Sequence, residues 1–231
     1  IKSGSIATTV DPLGLSSILE VKPTQTFTDL LDAQEKFTKD ALSRTLCGVL
    51  EIEELTKAYA RDTGLKPNSL KIIIFGSGSL SLTILPKRVS HDVDAAVPSQ
   101  FMAFCEQKMR KSHGAKPEFS SPRLLQYLGA WEERASTIEG LSHTTFLIPH
   151  PLDTVMQKLL RTDATRFETN DKPDIRDILE RLNPDKETLI GLLTENPARY
   201  RIPKDKEQAQ AIVRNTNWFT KEFLPEHTPS P

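Results

Sequence analysis

Apolar residues recur at helical intervals through Leu30, Leu31, Phe37, Leu42, Leu46, Leu50 and Leu55. That spacing predicts an amphipathic helix from Thr26 to about Thr63, closed by Asp62-Thr63-Gly64 with Pro67 beyond. The pattern then changes. Leu70 to Phe75 is a short apolar run, β-branched in the middle, and predicts a buried strand. Gly76-Ser77-Gly78-Ser79 reads as a turn, followed by an apolar stretch to Leu85. Asp92 to Val97 predicts a second strand, ended by Pro98, and Ser99 caps a helix through Arg110. After a Pro-containing loop, Arg123 to Arg134 is expected to be mostly helical, and Thr144 to Ile148 makes a third strand. Pro149 and Pro151 mark the exit from the sheet. Helices are expected beyond it, at about 151–163, 174–182, 186–195 and 205–223.

These elements predict an α/β (α+β) architecture, a short mixed sheet flanked by helices and followed by a helical region. Three parts are expected: a flexible arm over 1–25, rich in Ser, Thr and Pro, a core with its N-terminal helix over 26–150, and a helical region over 151–231.

Composition narrows the function. Lys plus Arg number 30 against 31 Asp plus Glu, for a net charge of -1. That balance excludes a globally basic nucleic-acid binder but leaves room for a local basic face. No apolar run approaches the length of a membrane span. The stretch Ile1 to Val10 lacks the apolar centre of a signal peptide, and because the chain opens on Ile1, residues are expected to precede it. Cys47 and Cys105 show no metal-ligand spacing and are expected to be buried free thiols of a cytoplasmic protein.

The chemistry concentrates between Ile72 and Val97. Residues two apart on a strand share a face, so Asp92 and Asp94 project together, roughly 7 Å apart along the backbone. Two acids in an otherwise apolar strand are costly unless paired or metal-bound. Paired carboxylates suit Mg²⁺, which takes hard oxygen ligands together with phosphate oxygens. Two such ions can activate an attacking oxygen and stabilise the leaving one. Gly76 removes a side chain where a backbone approaches phosphate, Ser77 supplies a hydroxyl, and a helix start behind it offers N–H groups. His91 is expected at the rim, and His143 and His150 on the surface.

This stretch resembles the nucleotidyltransferase superfamily that includes DNA polymerase β and the aminoglycoside nucleotidyltransferases. The shared pattern is an apolar strand, Gly-Ser, a spacer and Asp-x-Asp, here Ile-Ile-Ile-Phe-Gly-Ser and then Asp-Val-Asp-Ala-Ala-Val. The Arg88-x-Ser90-x-Asp92-x-Asp94 spacing is similar to AbiEii-type toxins and related nucleotidyltransferases. A second likeness covers Trp131-x-x-Arg134, Lys158 and Asp174-Ile175-Arg176-Asp177.

The resemblance implies transfer of a nucleoside monophosphate from a nucleoside triphosphate (NTP), such as ATP, to an acceptor hydroxyl with two Mg²⁺ ions. Asp92 and Asp94 would be the metal ligands and Gly76, Ser77, Arg88 and Lys158 would bind the nucleotide. Asp174 would orient or deprotonate the acceptor. In AbiEii-type toxins that acceptor is thought to be the tRNA 3′ end, and a cognate antitoxin protein is then an expected partner.

The residues alone leave Lys158 two readings, since an apolar helix can also let a lysine snorkel, and Asp174 behind Pro173 can simply favour a helix start. Trp131 and Arg134 read as structural, and Arg161, Arg166 and Arg176 as a basic rim for phosphate or RNA or, more simply, a solvated face. Two departures stand out. The polymerase β branch has a third carboxylate on a neighbouring strand, and Thr144 to Ile148 contains no acid. The spacer after Gly-Ser is long and includes Pro86, which a one-turn helix and loop would absorb. A decayed fold serving protein interaction and a small-molecule nucleotidyltransferase are the rival readings.

Overall fold

The computed structural model describes residues 25–26, 39–66, 69–85, 88–90, 92–108, 116–122, 125, 129–139, 141, 143–194 and 206–225. The expectations for His91, for the arm before Gln25 and for Leu30, Leu31 and Phe37 lie outside them. Strands β1 (Gln25–Thr26), β2 (Leu70–Ile74), β3 (Asp92–Ala96), β4 (Lys116–Ser120), β5 (Ser136–Glu139) and β6 (Thr144–Ile148) form one sheet. Its order is β1-β5-β6-β2-β3-β4. β2 runs parallel to β6 and antiparallel to β3, and β4 lies parallel to β3, so the sheet is mixed as the sequence predicts.

Alternation along the strands sorts two faces. Ile72, Ile74, Val93, Ala95, Phe146 and Ile148 pack on Leu46, Val49 and Ile52 of helix α1 (Lys39–Thr63) and on Phe101 and Cys105 of α3 (Ser99–Lys108). Each fully buried Val, Leu, Ile or Phe side chain among them contributes about 1.5–3 kcal/mol. Ile73, Ala96 and Leu147 face the other way, against Phe75, Leu125 and Trp131. Asp92 and Asp94 share this second face with Ala96, because all three are two residues apart.

The helical region follows as α5 (Pro151–Leu159), a three-residue α6 (Ala164–Arg166), a π-helical turn (Phe167–Asp171), α7 (Lys172–Leu182), α8 (Lys186–Thr194) and α9 (Lys206–Phe223). Leu152, Val155, Met156 and Leu159 build its core with Phe167, Ile175, Ile178 and Phe219. Helix α2 (Gly76–Ser81) joins the two cores: Leu80 belongs to the helical one, and Leu82 just beyond it to the sheet. The Gly-Ser segment therefore sits at the seam between sheet and helices.

Several expectations change. The stretch read as a Pro-containing loop includes strand β4, with Pro117 inside it. Proline lacks an N–H and is tolerated in edge strands, and β4 is an edge. Ser136–Glu139 adds strand β5, and Gln25–Thr26 pairs with it in parallel, so the last residue of the expected arm and the first of the expected helix are strand, and the helix is described from Lys39. Of the described residues in Arg123–Arg134, the helical ones are Trp131–Arg134, helix α4. Gly76–Ser79 is the first turn of a helix instead of a simple turn. Cys47 is exposed on the outer side of α1, whereas burial pushes the Cys105 thiol up to about 12. His150 is buried and caps α5, its Nδ1 accepting from the Leu152 N–H at 3.2 Å. No helix among the described residues is long and apolar enough to cross a membrane.

Candidate active site

Strand β3 presents Asp92 and Asp94, both half-buried, and β4 sets Glu118 directly opposite Asp94. One oxygen from each of the three carboxylates lies within 4.8 Å of the others. Ser90 donates from Oγ to Asp92 Oδ1 at 3.4 Å. Burial raises Asp94 first, and the neighbouring charges of Asp92 and Glu118 add to it, bringing its carboxyl up to about 6. Arg166 and Arg161 oppose that rise. Three hard oxygen donors crowded at mutual repulsion fit a divalent cation, whose charge would relieve the repulsion.

The turn from β2 into α2 is fitted around the same carboxylate. Gly76 has φ +67°, a left-handed conformation that disfavours side chains, and a Cβ built there would collide with Asp94 Oδ2. The Asp94 carbonyl accepts from the Phe75 N–H at 3.0 Å. Asp94 thus anchors the turn through its backbone and claims the missing side chain's space with its carboxylate. Sequence alone assigns Gly76 to phosphate; the structure gives it this further reason.

A cleft of about 130 Å³ opens beside it. Gly76, Ser77 and Asp94 line it from the sheet, and Thr154, Gln157 and Lys158 of α5, with Arg161 and Arg166, line it from the helical region. The cleft is therefore acidic at the strand end and cationic at the helical end. Of the three arginines that the sequence leaves between a basic rim and a solvated face, Arg161 and Arg166 line this cleft.

Lys158 is buried, and its Nζ donates to Asp171 Oδ1 and to Asp174 Oδ2, each at 2.8 Å. Asp171 Oδ2 also accepts from Arg161 Nε at 3.0 Å. Asp174 Oδ1 lies 3.0 Å from Arg88 Nε. Charges alternate along the row Arg161, Asp171, Lys158, Asp174, Arg88. Asp174 is 1% exposed, and neither it nor Arg88 lines the cleft; both connect to it through Lys158. Asp177 points to solvent, because three residues fall about 60° short of a full helical turn and each such step swings farther from the buried face. Asn215 of α9 donates from Nδ2 to the Leu159 and Arg161 carbonyls at 3.1 and 2.8 Å, holding the end of α5 next to Lys158 and the segment that carries Arg161. Arg134 is buried against Asp153 at 3.0 Å and donates to the Gly129 carbonyl.

Glu118 and Asp171 escape the sequence reading. Glu118 carries one signal, since Lys116, Glu118 and Ser120 alternate with Pro117 and Phe119 as in a strand, but Pro117 disguises it. Asp171 stands three residues before Asp174, a same-face helical spacing that the intervening Pro173 obscures.

The chain matches the model of a family described as nucleotidyltransferase of unknown function (DUF6036) over residues 53–223. A crystal structure of an antigenic nucleotidyltransferase-like protein from Paracoccidioides brasiliensis aligns at 13% identity and a TM-score of 0.41, covering 79% of this chain and 88% of that one. No curated protein sequence matches the chain.

Proposed function

Because the chain belongs to the DUF6036 family of nucleotidyltransferases of unknown function, we propose that it transfers a nucleoside monophosphate from an NTP to an acceptor hydroxyl. The observation that carries this reading is the single cleft in which Asp94 and the Gly76-Ser77 turn face Lys158, Arg161 and Arg166. An NTP bound with its phosphates toward the cations would lie with its reacting end near the three acids. Asp92, Asp94 and Glu118 would hold Mg²⁺, whose charge promotes attack by the acceptor oxygen and eases departure of pyrophosphate. Ser77 would donate its hydroxyl to a phosphate oxygen. Lys158, Arg161 and Arg166 would neutralise the triphosphate, chiefly as electrostatic stabilisation that needs no rearrangement during reaction. Ser90 would keep Asp92 oriented.

Glu118 supports an active site over a decayed one, because the missing strand acid was the sequence's main argument for decay. The cationic wall favours a polyphosphate and an anionic acceptor over a cationic aminoglycoside. The tRNA 3′ end, as in AbiEii-type toxins, fits that requirement, and a protein antitoxin would then be the natural regulator. The test is incubation with each of the four labelled NTPs, Mg²⁺ and total tRNA. Transfer of label to RNA in the wild type, abolished in Asp94→Ala, is the expected result. Absence of label on any RNA with every NTP would refute the acceptor, and absence of NTP binding would refute the reading itself.

A further inference from the structure

We propose that Asp171 is a positioning residue, whose carboxylate sets Lys158 and Arg161 in register for a triphosphate. The inference rests on the reading of the cleft as a triphosphate site and names a residue that reading does not use.

The two oxygens of Asp171 go to different partners. Oδ1 accepts from Lys158 Nζ at 2.8 Å and Oδ2 from Arg161 Nε at 3.0 Å. Both partners line the cleft, whereas Asp171 is 1% exposed and is not part of its wall. A buried carboxylate that spends each oxygen on a different wall cation fixes the distance between them. An ammonium has three donors and a guanidinium five. Asp171 and Asp174 engage two of the lysine's donors, and Asp171 takes the arginine's inner Nε–H. The lysine's third donor and the arginine's terminal amino groups then serve the cleft.

Local structure explains how Asp171 gets there. It ends the π-helical turn Phe167–Asp171 and immediately precedes α7. Such a turn is wider than an α-turn and recurs at functional positions. Phe167 at its start is fully buried in the helical core and fastens the turn to α5. With Asp174 three residues on, the same face supplies both acids that hold Lys158. Within the row, Lys158 and Arg161 line the cleft, while Asp171, Asp174 and Arg88 stand behind them.

The experiment is calorimetric titration of the full chain with inorganic tripolyphosphate in Mg²⁺, using Asp171→Asn, Asp171→Glu and the pair Lys158→Met with Arg161→Gln. Asp171→Glu keeps the charge and moves it by one methylene, so it tests position apart from charge and carries the test if Asp171→Asn does not fold. Each Asp171 variant is expected to bind about tenfold more weakly, the scale of one charge-assisted hydrogen bond. Added to the Lys158→Met/Arg161→Gln pair, Asp171→Asn is expected to cause no further loss, because it acts through those cations. Wild-type affinity in a folded Asp171 variant, or a loss that simply adds to the pair's, overturns this inference and leaves the triphosphate reading intact. No binding by the wild-type protein overturns both.

Discussion

Gly76 lacks the one carbon that would strike Asp94 Oδ2, so the glycine and the aspartate occupy a single shared space. Gly76→Ala puts a methyl group there and forces a left-handed φ on a residue that resists it. A strain of about 1–3 kcal/mol is expected, together with loss of divalent-metal affinity as Asp94 is displaced. Thermal melting and Mn²⁺ titration of the variant check the two effects. A folded Gly76→Ala protein with unchanged metal affinity would show that Asp94 moves aside freely.

The three acids should behave as one unit. Asp92→Ala, Asp94→Ala and Glu118→Gln are each expected to reduce label transfer at least about 100-fold, since metal-assisted charge stabilisation is worth several kcal/mol. Combining any two should cost far less than the sum of their effects. Full activity in Glu118→Gln would remove the edge strand from the metal set and return the site to two carboxylates.

The Asp94 carboxyl, lifted from 3.8 to about 6, ties stability to pH. Between these values the folded protein holds a proton that the unfolded chain has released. Stability of the metal-free protein is therefore expected to fall as pH rises through that window, with the cost fully present above about 6. A divalent cation removes the repulsion and needs the deprotonated carboxylate, so the Tm gain from Mg²⁺ should be larger at about pH 7.5 than at about pH 5. Melting curves at both values, with Mg²⁺ and with chelator, decide it; equal gains contradict the assignment.

Asp174 has two roles open to it that kinetics separates. Held by Lys158 and Arg88, it is expected to support the lysine, so Asp174→Asn should raise KM for the NTP in parallel with Lys158→Met. An acceptor base, the role the sequence suggests, would instead lower kcat by about 10²- to 10⁴-fold at constant KM. Steady-state rates against NTP concentration distinguish the two.

How far the sequence reveals this site depends on whether each contribution is local. Asp92, Asp94, Gly76 and Ser77 could be read because strand periodicity and a turn signature act within a few residues. The helices carrying Lys158 and Asp174 were legible for the same reason, from apolar spacing such as Leu152, Val155, Met156 and Leu159. Glu118 was not, since its placement depends on β4 pairing with β3, a relation between distant segments, and Pro117 argues locally against any strand. Asp171 was hidden differently. Its role arises from a π-helical turn, whose backbone pattern has no clear residue signature, and from a lysine on another helix. Arg161 and Arg166 read as a basic rim or as ordinary surface cations until the fold closes a cleft beside them.

Among the described residues, strand β4 meets the rest of the sheet through β3 alone, and that bears on how the protein breathes. A margin strand is the first to peel away, so its amides should exchange with solvent sooner than those of β2 or β6. A cation shared by Asp94 and Glu118 would clasp the last two strands together, and opening the margin would mean releasing it. Docking of the strand and occupancy of the metal would then be a single equilibrium, visible as slowed exchange along Glu118 to Ser120 when Mg²⁺ is added.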